Sequence, residues 1–278
     1  TDSFLKTCDK LVYYIFFPVM LFWKIGSSAP DTGVSIHLCM ASILSVVIVY
    51  LLSLIAIHLF RIAHFQAGTF SQACYRFNTY IGMAIVMNTL GEVGVRYFGI
   101  LIGFVIPIIN VLAVSTLIWH SGEKRNPGKN AIYLLKALIS NPLILGCAAG
   151  LLFSRFQLSF PVFIDNTFGL MTSVTMPLAL ISIGGALTLT GLKHNTKISF
   201  IASILKILVL PIIGFICLKI FLVSGIPFKA GMIFFTLPTS TSIYVLSAQL
   251  NSDTQLASAA IMLSTLLSIF SLSFALLI

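Results

Sequence analysis

Ile43-Leu-Ser-Val-Val-Ile-Val-Tyr-Leu-Leu-Ser-Leu-Ile-Ala-Ile-His-Leu59 contains one imidazole and no carboxylate, ammonium or guanidinium. A run this long and apolar is the length of a helix that crosses a bilayer core of about 30 Å. It lacks the apolar–polar alternation of an outer-membrane strand. The rest of the chain agrees with it. Of 278 residues, 16 are Lys or Arg and 7 are Asp or Glu, so 8% are charged, and 58% are hydrophobic. A soluble domain carries about 25% charged residues. With a mean hydropathy of +1.07, the composition excludes a soluble enzyme, a disordered chain and a fibrous repeat. Cys8, Cys39, Cys74, Cys147 and Cys217 stand singly, which speaks against a disulfide framework or zinc site. The net charge of +9 reads as membrane topology rather than nucleic-acid binding.

Nine apolar stretches succeed one another: 9–25, 34–60, 68–90, 96–118, 130–153, 168–190, 198–222, 228–250 and 254–278. Loops 1–8, 61–67, 119–129, 191–197 and 251–253 carry Lys6, Arg61, Lys124, Arg125, Lys129, Lys193 and Lys197. The opposite loops carry Arg155, with Lys24, Arg96, Lys219 and Lys229 leaning to that side. The excess puts the first set in the cytoplasm, residue 1 inside and residue 278 outside.

The two halves repeat at an offset of about 160. Ala41-Ser-Ile-Leu44 recurs as Ala202-Ser-Ile-Leu205, Pro18-x-x-Leu21 as Pro177-x-x-Leu180, Gly26 falls on Gly185, and Asn78-Thr79 on Pro238-Thr239. The first visible span matches the sixth, so the unit is five spans. An odd unit reverses across the membrane, which is the inverted repeat of secondary transporters. The span 130–153 then lacks a mate, and the expectation is a first helix upstream of residue 1. Residues 1–118 read as the first repeat with four of five helices, 119–129 as a cytoplasmic linker and 130–278 as the second repeat.

Several ordered segments complete the pattern: Val12–Phe22, Arg76-Phe-Asn-Thr-Tyr-Ile-Gly82, Asn141-Pro-Leu-Ile-Leu-Gly146, Met176–Leu187, Leu205–Pro211, Leu237-Pro-Thr-Ser-Thr-Ser-Ile-Tyr-Val-Leu-Ser-Ala248 and Leu263–Phe270. On these the chain resembles the auxin efflux carrier family, which includes plant auxin carriers and bacterial dicarboxylate permeases. The resemblance implies an all-α, ten-helix inverted repeat of five plus five with two broken helices crossing at mid-membrane, and transport of an organic anion. Phe77 stands where plant carriers have Pro, and Ala84 where many bacterial members have Pro. These departures imply a less sharply broken first crossing and a substrate that need not be auxin.

Pro238 lacks an N–H and breaks a helix, and Thr239, Ser240 and Thr241 can cap the half-helix that resumes beyond it. Freed N–H groups carry partial positive charge and suit an anion. Asn78 and Thr79, with Gly82 nearby, are the counterpart in span three. Arg76 and Lys206 lie deep enough to supply a countercharge, or to snorkel to headgroups. The substrate-binding candidates are thus Arg76, Asn78, Thr79, Lys206, Pro238, Thr239, Ser240 and Thr241. Lys24 and Lys136 read as interfacial, and His37 and His58 as satisfied polar residues.

Asp2, Asp9, Asp31, Glu92, Glu123, Asp165 and Asp253 all fall in loops or at span ends, away from where a proton- or sodium-exchanging carboxylate is needed. No HExxH, Walker motif or Ser/His pairing occurs, so no enzyme activity, cofactor or metal is expected. The leading reading is a multi-pass permease or efflux carrier of the plasma (bacterial inner) membrane, moving a small organic anion such as a dicarboxylate or auxin-like carboxylate by alternating access. The alternatives are a sodium-coupled symporter of the bile acid transporter kind and a non-transporting receptor. The expected partners are the anion and the lipid bilayer, with a homodimer left open and no nucleic acid.

Overall fold

The computed structural model describes residues 2–27, 33–120, 140–186 and 192–277, and every regular element among them is helical. Helices α1 (Asp2–Leu11) and α2 (Phe17–Gly26) join through one wide π turn, Val12–Phe16. Then come α3 (Gly33–Leu59), α4 (His64–Ala73) and α5 (Thr79–His120), followed by α6 (Pro142–Arg155) and α7 (Val162–Ala186). Helices α8 (Leu192–Ile204) and α9 (Leu210–Ile220) again join through a π turn, Leu205–Val209. The chain closes with α10 (Gly225–Thr236), α11 (Ser242–Gln249) and α12 (Thr254–Leu277). Ile36–Leu59, Thr79–His120, Asn195–Ile220 and Thr254–Leu277 are long and apolar enough to cross a membrane.

Local chemistry explains the interruptions. Each π turn stands just before a proline, Pro18 or Pro211, which offers no N–H to the preceding turn. The ladder widens there, with Phe17 N–H on Val12 O and Leu210 N–H on Leu205 O. Helix α5 bends at Gly91, whose φ of 62° and ψ of −155° suit a residue without Cβ. The bend separates the 68–90 and 96–118 stretches read from the sequence. Helices α3 and α9 end alike. Arg61 and Leu222 are left-handed, at φ 51° and 54°, while Ile62 N–H bonds Ile57 O and Val223 N–H bonds Leu218 O. The span at 130–153 is seen from residue 140 onward. Lys136 and the 119–129 linker beyond His120 lie outside the described residues.

Helix α3 turns Ile36, Met40, Leu44, Leu51, Ile55 and Leu59 outward and buries Ala41, Ser42, Ser45, Val46, Val49 and Ser53. Large aliphatic groups thus face the apolar solvent, and small or hydroxyl-bearing groups face other helices, as packing inside lipid demands. The five cysteines are buried and free. His37 and His58 are exposed on α3, each near an end of its helix. Lys24 pairs with Glu92 and lies over the Trp23 ring.

Helix α6 crosses α2 at backbone contact. A Cβ on Gly146 would stand 2.6 Å from Pro18 O, and one on Gly150 3.0 Å from Phe22 O. This small-x-x-x-small spacing lets the two helices approach closely. Gly146→Val should therefore force the pair apart. We expect a loss of about 1–3 kcal/mol, measured as a drop in melting temperature of the detergent-purified protein, whereas Gly169→Ala, with nothing closer than 3.5 Å, should leave it unchanged.

Candidate functional site at the crossing of two interrupted helices

Two helices stop and restart deep in the protein. Between α4 and α5 residues 74–78 leave the helix, and between α10 and α11 residues 237–241 do. The first gap is as long as the second although it has no proline, so the expectation of a weaker first break is corrected. Asn78 supplies the reason. Its side-chain oxygen accepts from Tyr80 N–H at 3.1 Å and Ile81 N–H at 3.2 Å, which caps the new helix as a proline-free start requires.

The two gaps touch. Asn78 N–H donates to Pro238 O at 2.9 Å, and the Thr239 hydroxyl donates to Ala73 O at 2.9 Å. Thr239 N–H donates to Ser264 Oγ at 3.0 Å, tying α12 to the same point. The Phe77 and Phe234 rings meet edge to face with centroids 4.3 Å apart. Orphaned backbone groups at the breaks thus find partners within the protein, which is the condition for irregular backbone at membrane depth. Thr239→Val, which deletes one such bond at nearly constant volume, should cost about 1 kcal/mol and lower the melting temperature, while Thr239→Ser keeps the hydroxyl and the stability.

The sequence left open whether Arg76 and Lys206 are buried or snorkel. Both are buried, at 9% and 0% exposure. Arg76 Nη2 donates to Ser242 Oγ at 3.1 Å, at the N-terminus of α11. Its Nη1 is buried without a hydrogen-bond partner among the described residues, and Tyr13 and Tyr75 stand within electrostatic reach. Among the described residues no carboxylate forms an ion pair with the guanidinium. A helix N-terminus is itself a positive pole, so cation and dipole reinforce each other where Arg76 meets Ser242. Ser240 and Thr241 are half-buried beside them, with Ser240 Oγ 2.8 Å from Ser242 Oγ. Lys206 belongs to another neighbourhood: its Nζ donates to Phe235 O at 3.4 Å.

An open, largely apolar groove of about 340 Å³ runs along the first turns of α5, from Ile81 past Ala84 and Ile85 to Asn88, and is flanked by Leu180 and Leu276. It starts at the residue whose N–H Asn78 caps.

One polar seam went unnoticed in the sequence. Gln66, Thr69 and Gln72 on α4 face Ser247, Ser252 and Asp253. Thr69 Oγ1 lies 2.8 Å from both serine hydroxyls, Gln72 Nε2 donates to Ser247 Oγ at 2.9 Å, and Gln66 Nε2 donates to Asp253 Oδ2 at 2.9 Å and Asn195 Oδ1 at 3.0 Å. The signal was the spacing of three between polar groups, which stripes one helical face.

A family model described as membrane transport protein matches residues 4–276. The chain is 23% identical over 270 residues to an uncharacterized transporter of Methanocaldococcus jannaschii, covering 95% of this chain and 86% of that protein. It is also 23% identical over 192 residues to a Rhizobium meliloti protein provisionally named a malonate transporter, covering 68% of this chain and 60% of that one.

Proposed function

From the premise that this chain belongs to the membrane transport protein family, to which its resemblance to the auxin efflux carriers pointed, we propose that it carries a small organic anion across the plasma membrane by alternating access. The observation that carries this reading is the buried Arg76 guanidinium, which stands at a helix N-terminus and has, among the described residues, no partner for Nη1 and no paired carboxylate. Such a group is costly in an apolar interior, and an anionic ligand offsets that cost. A carboxylate would take Arg76 and the Asn78 amide donors, with Thr79, Ser240 and Thr241 around it and Pro238 and Thr239 holding the crossing. The groove beginning at Ile81 is the proposed approach.

The inverted repeat, with halves 1–118 and 130–278, belongs to the same proposal. The matched breaks and the like endings of α3 and α9 support it, and alternating access would rock one half-helix group against the rest. Malonate is the first solute to test, because one relative carries that name. Proteoliposomes bearing the protein should take up radiolabelled malonate or a related carboxylate faster than empty vesicles, with competition among carboxylates and none from amines. Uptake restricted to cations or neutral solutes would overturn the reading.

A further inference from the structure

Lys206 is a fully buried side chain that the proposed anion site does not use. The wide turn Leu205–Val209 carries it, and its ammonium donates to Phe235 O, 3.4 Å away. Phe235 is in the last turn of α10, where carbonyls have no partner within the helix and the macrodipole is negative. The next carbonyl, Thr236 O, is met by Ser271 Oγ at 3.0 Å. Cys74, which ends the other broken helix, stands within electrostatic reach of the same ammonium. The C-terminal end of α10 thus meets one positive charge, while Arg76 stands at the N-terminal side of α11 with Ser242.

Carbonyl ends of broken helices are where secondary transporters coordinate a coupling sodium ion or proton. We propose that the Lys206 ammonium is a tethered cation in that position, taking the place of an alkali ion, so that the transport cycle runs without a sodium gradient. This rests on the transporter reading above. The repeat sharpens it: the register that sets Ala41 on Ala202 sets Ser45 on Lys206, and buried Ser45 only returns its hydroxyl to Ala41 O at 2.7 Å. A serine at 206 would therefore be tolerated by this kind of helix yet leave the carbonyl end uncovered.

The test is melting of the full purified chain in sodium, lithium and choline chloride at equal ionic strength, with uptake measured alongside. Wild type should melt at one temperature in all three salts. Lys206→Ser should melt lower in choline and recover by about 3 °C or more in sodium or lithium, because a small ion now fits where the ammonium was. Should the serine variant not purify, Lys206→Ala, which also lacks a donor that reaches the carbonyl, carries the same comparison. A wild-type melting temperature raised by sodium or lithium, or a variant that melts alike in all three salts, would overturn the inference. So would malonate uptake by wild type that stops when sodium is replaced by choline, while uptake equal in both salts supports it. Absence of uptake of any carboxylate would sink the transport reading instead, and the melting comparison would still decide the role of Lys206.

Discussion

Arg76→Met should abolish anion uptake without unfolding the protein. The methionine fills much the same volume and removes the charge. A carboxylate that loses a charge-assisted hydrogen bond loses about 1.5–3 kcal/mol, and the missing Coulomb attraction adds to it, about 4 kcal/mol for unit charges 4 Å apart at an effective dielectric of 20. Binding should fall by a factor of at least about a hundred, read by isothermal titration or by competition for labelled substrate. Stability should move the other way or not at all, because a buried Nη1 without a partner among the described residues no longer has to be kept out of water. Arg76→Lys should recover only part of the binding, since an ammonium lacks the planar fork that meets a carboxylate twice. A Met variant that transports like wild type would remove Arg76 from the site, and one that aggregates would reassign it to structure.

Asn78 carries two roles that a pair of substitutions can separate. Its oxygen caps α5 through Tyr80 and Ile81, and its amide N–H groups are the donors proposed for the substrate. Asn78→Ala removes both. Binding should weaken about ten- to a hundredfold, and stability should fall by about 1 kcal/mol from the lost cap. Asn78→Asp keeps the cap and adds a carboxylate beside Arg76. The protein should then melt near or above the wild-type temperature while anion uptake is lost, because the site holds its own negative charge. Equal uptake by the Asp variant and wild type would show that Asn78 only shapes the backbone.

Both predictions rest on features legible to different degrees. The breaks could be read locally: Pro238 with its Ser/Thr cluster, and Asn78 at the register-matched place, each act within four residues of chain. The first gap was underestimated because a missing proline drew attention from the cap, yet a capped start ends a helix as surely as a missing N–H. The countercharge was legible only as a pair of candidates. Arg76 and Lys206 are alike in depth, and depth along a helix says nothing about which way a side chain points around it.

The chain's residence in the bilayer, its all-helical class and the positions of its long apolar helices are set by the sequence itself. Few charges and apolar runs of bilayer length leave the backbone no other way to satisfy its hydrogen bonds. Tertiary structure alone decided which polar groups meet. Thr69 could have returned its hydroxyl to its own helix, as Ser45 does, but reaches Ser247 and Ser252 instead. Arg76 could have run to the headgroups but donates to Ser242, and Lys206 could have joined it but turns to Phe235 O. A hydroxyl or a cation leaves the same mark in a sequence whichever partner it takes. The choice lies with residues far along the chain, brought within about 3 Å only when the interrupted helices cross, where low dielectric makes an unmade bond costly.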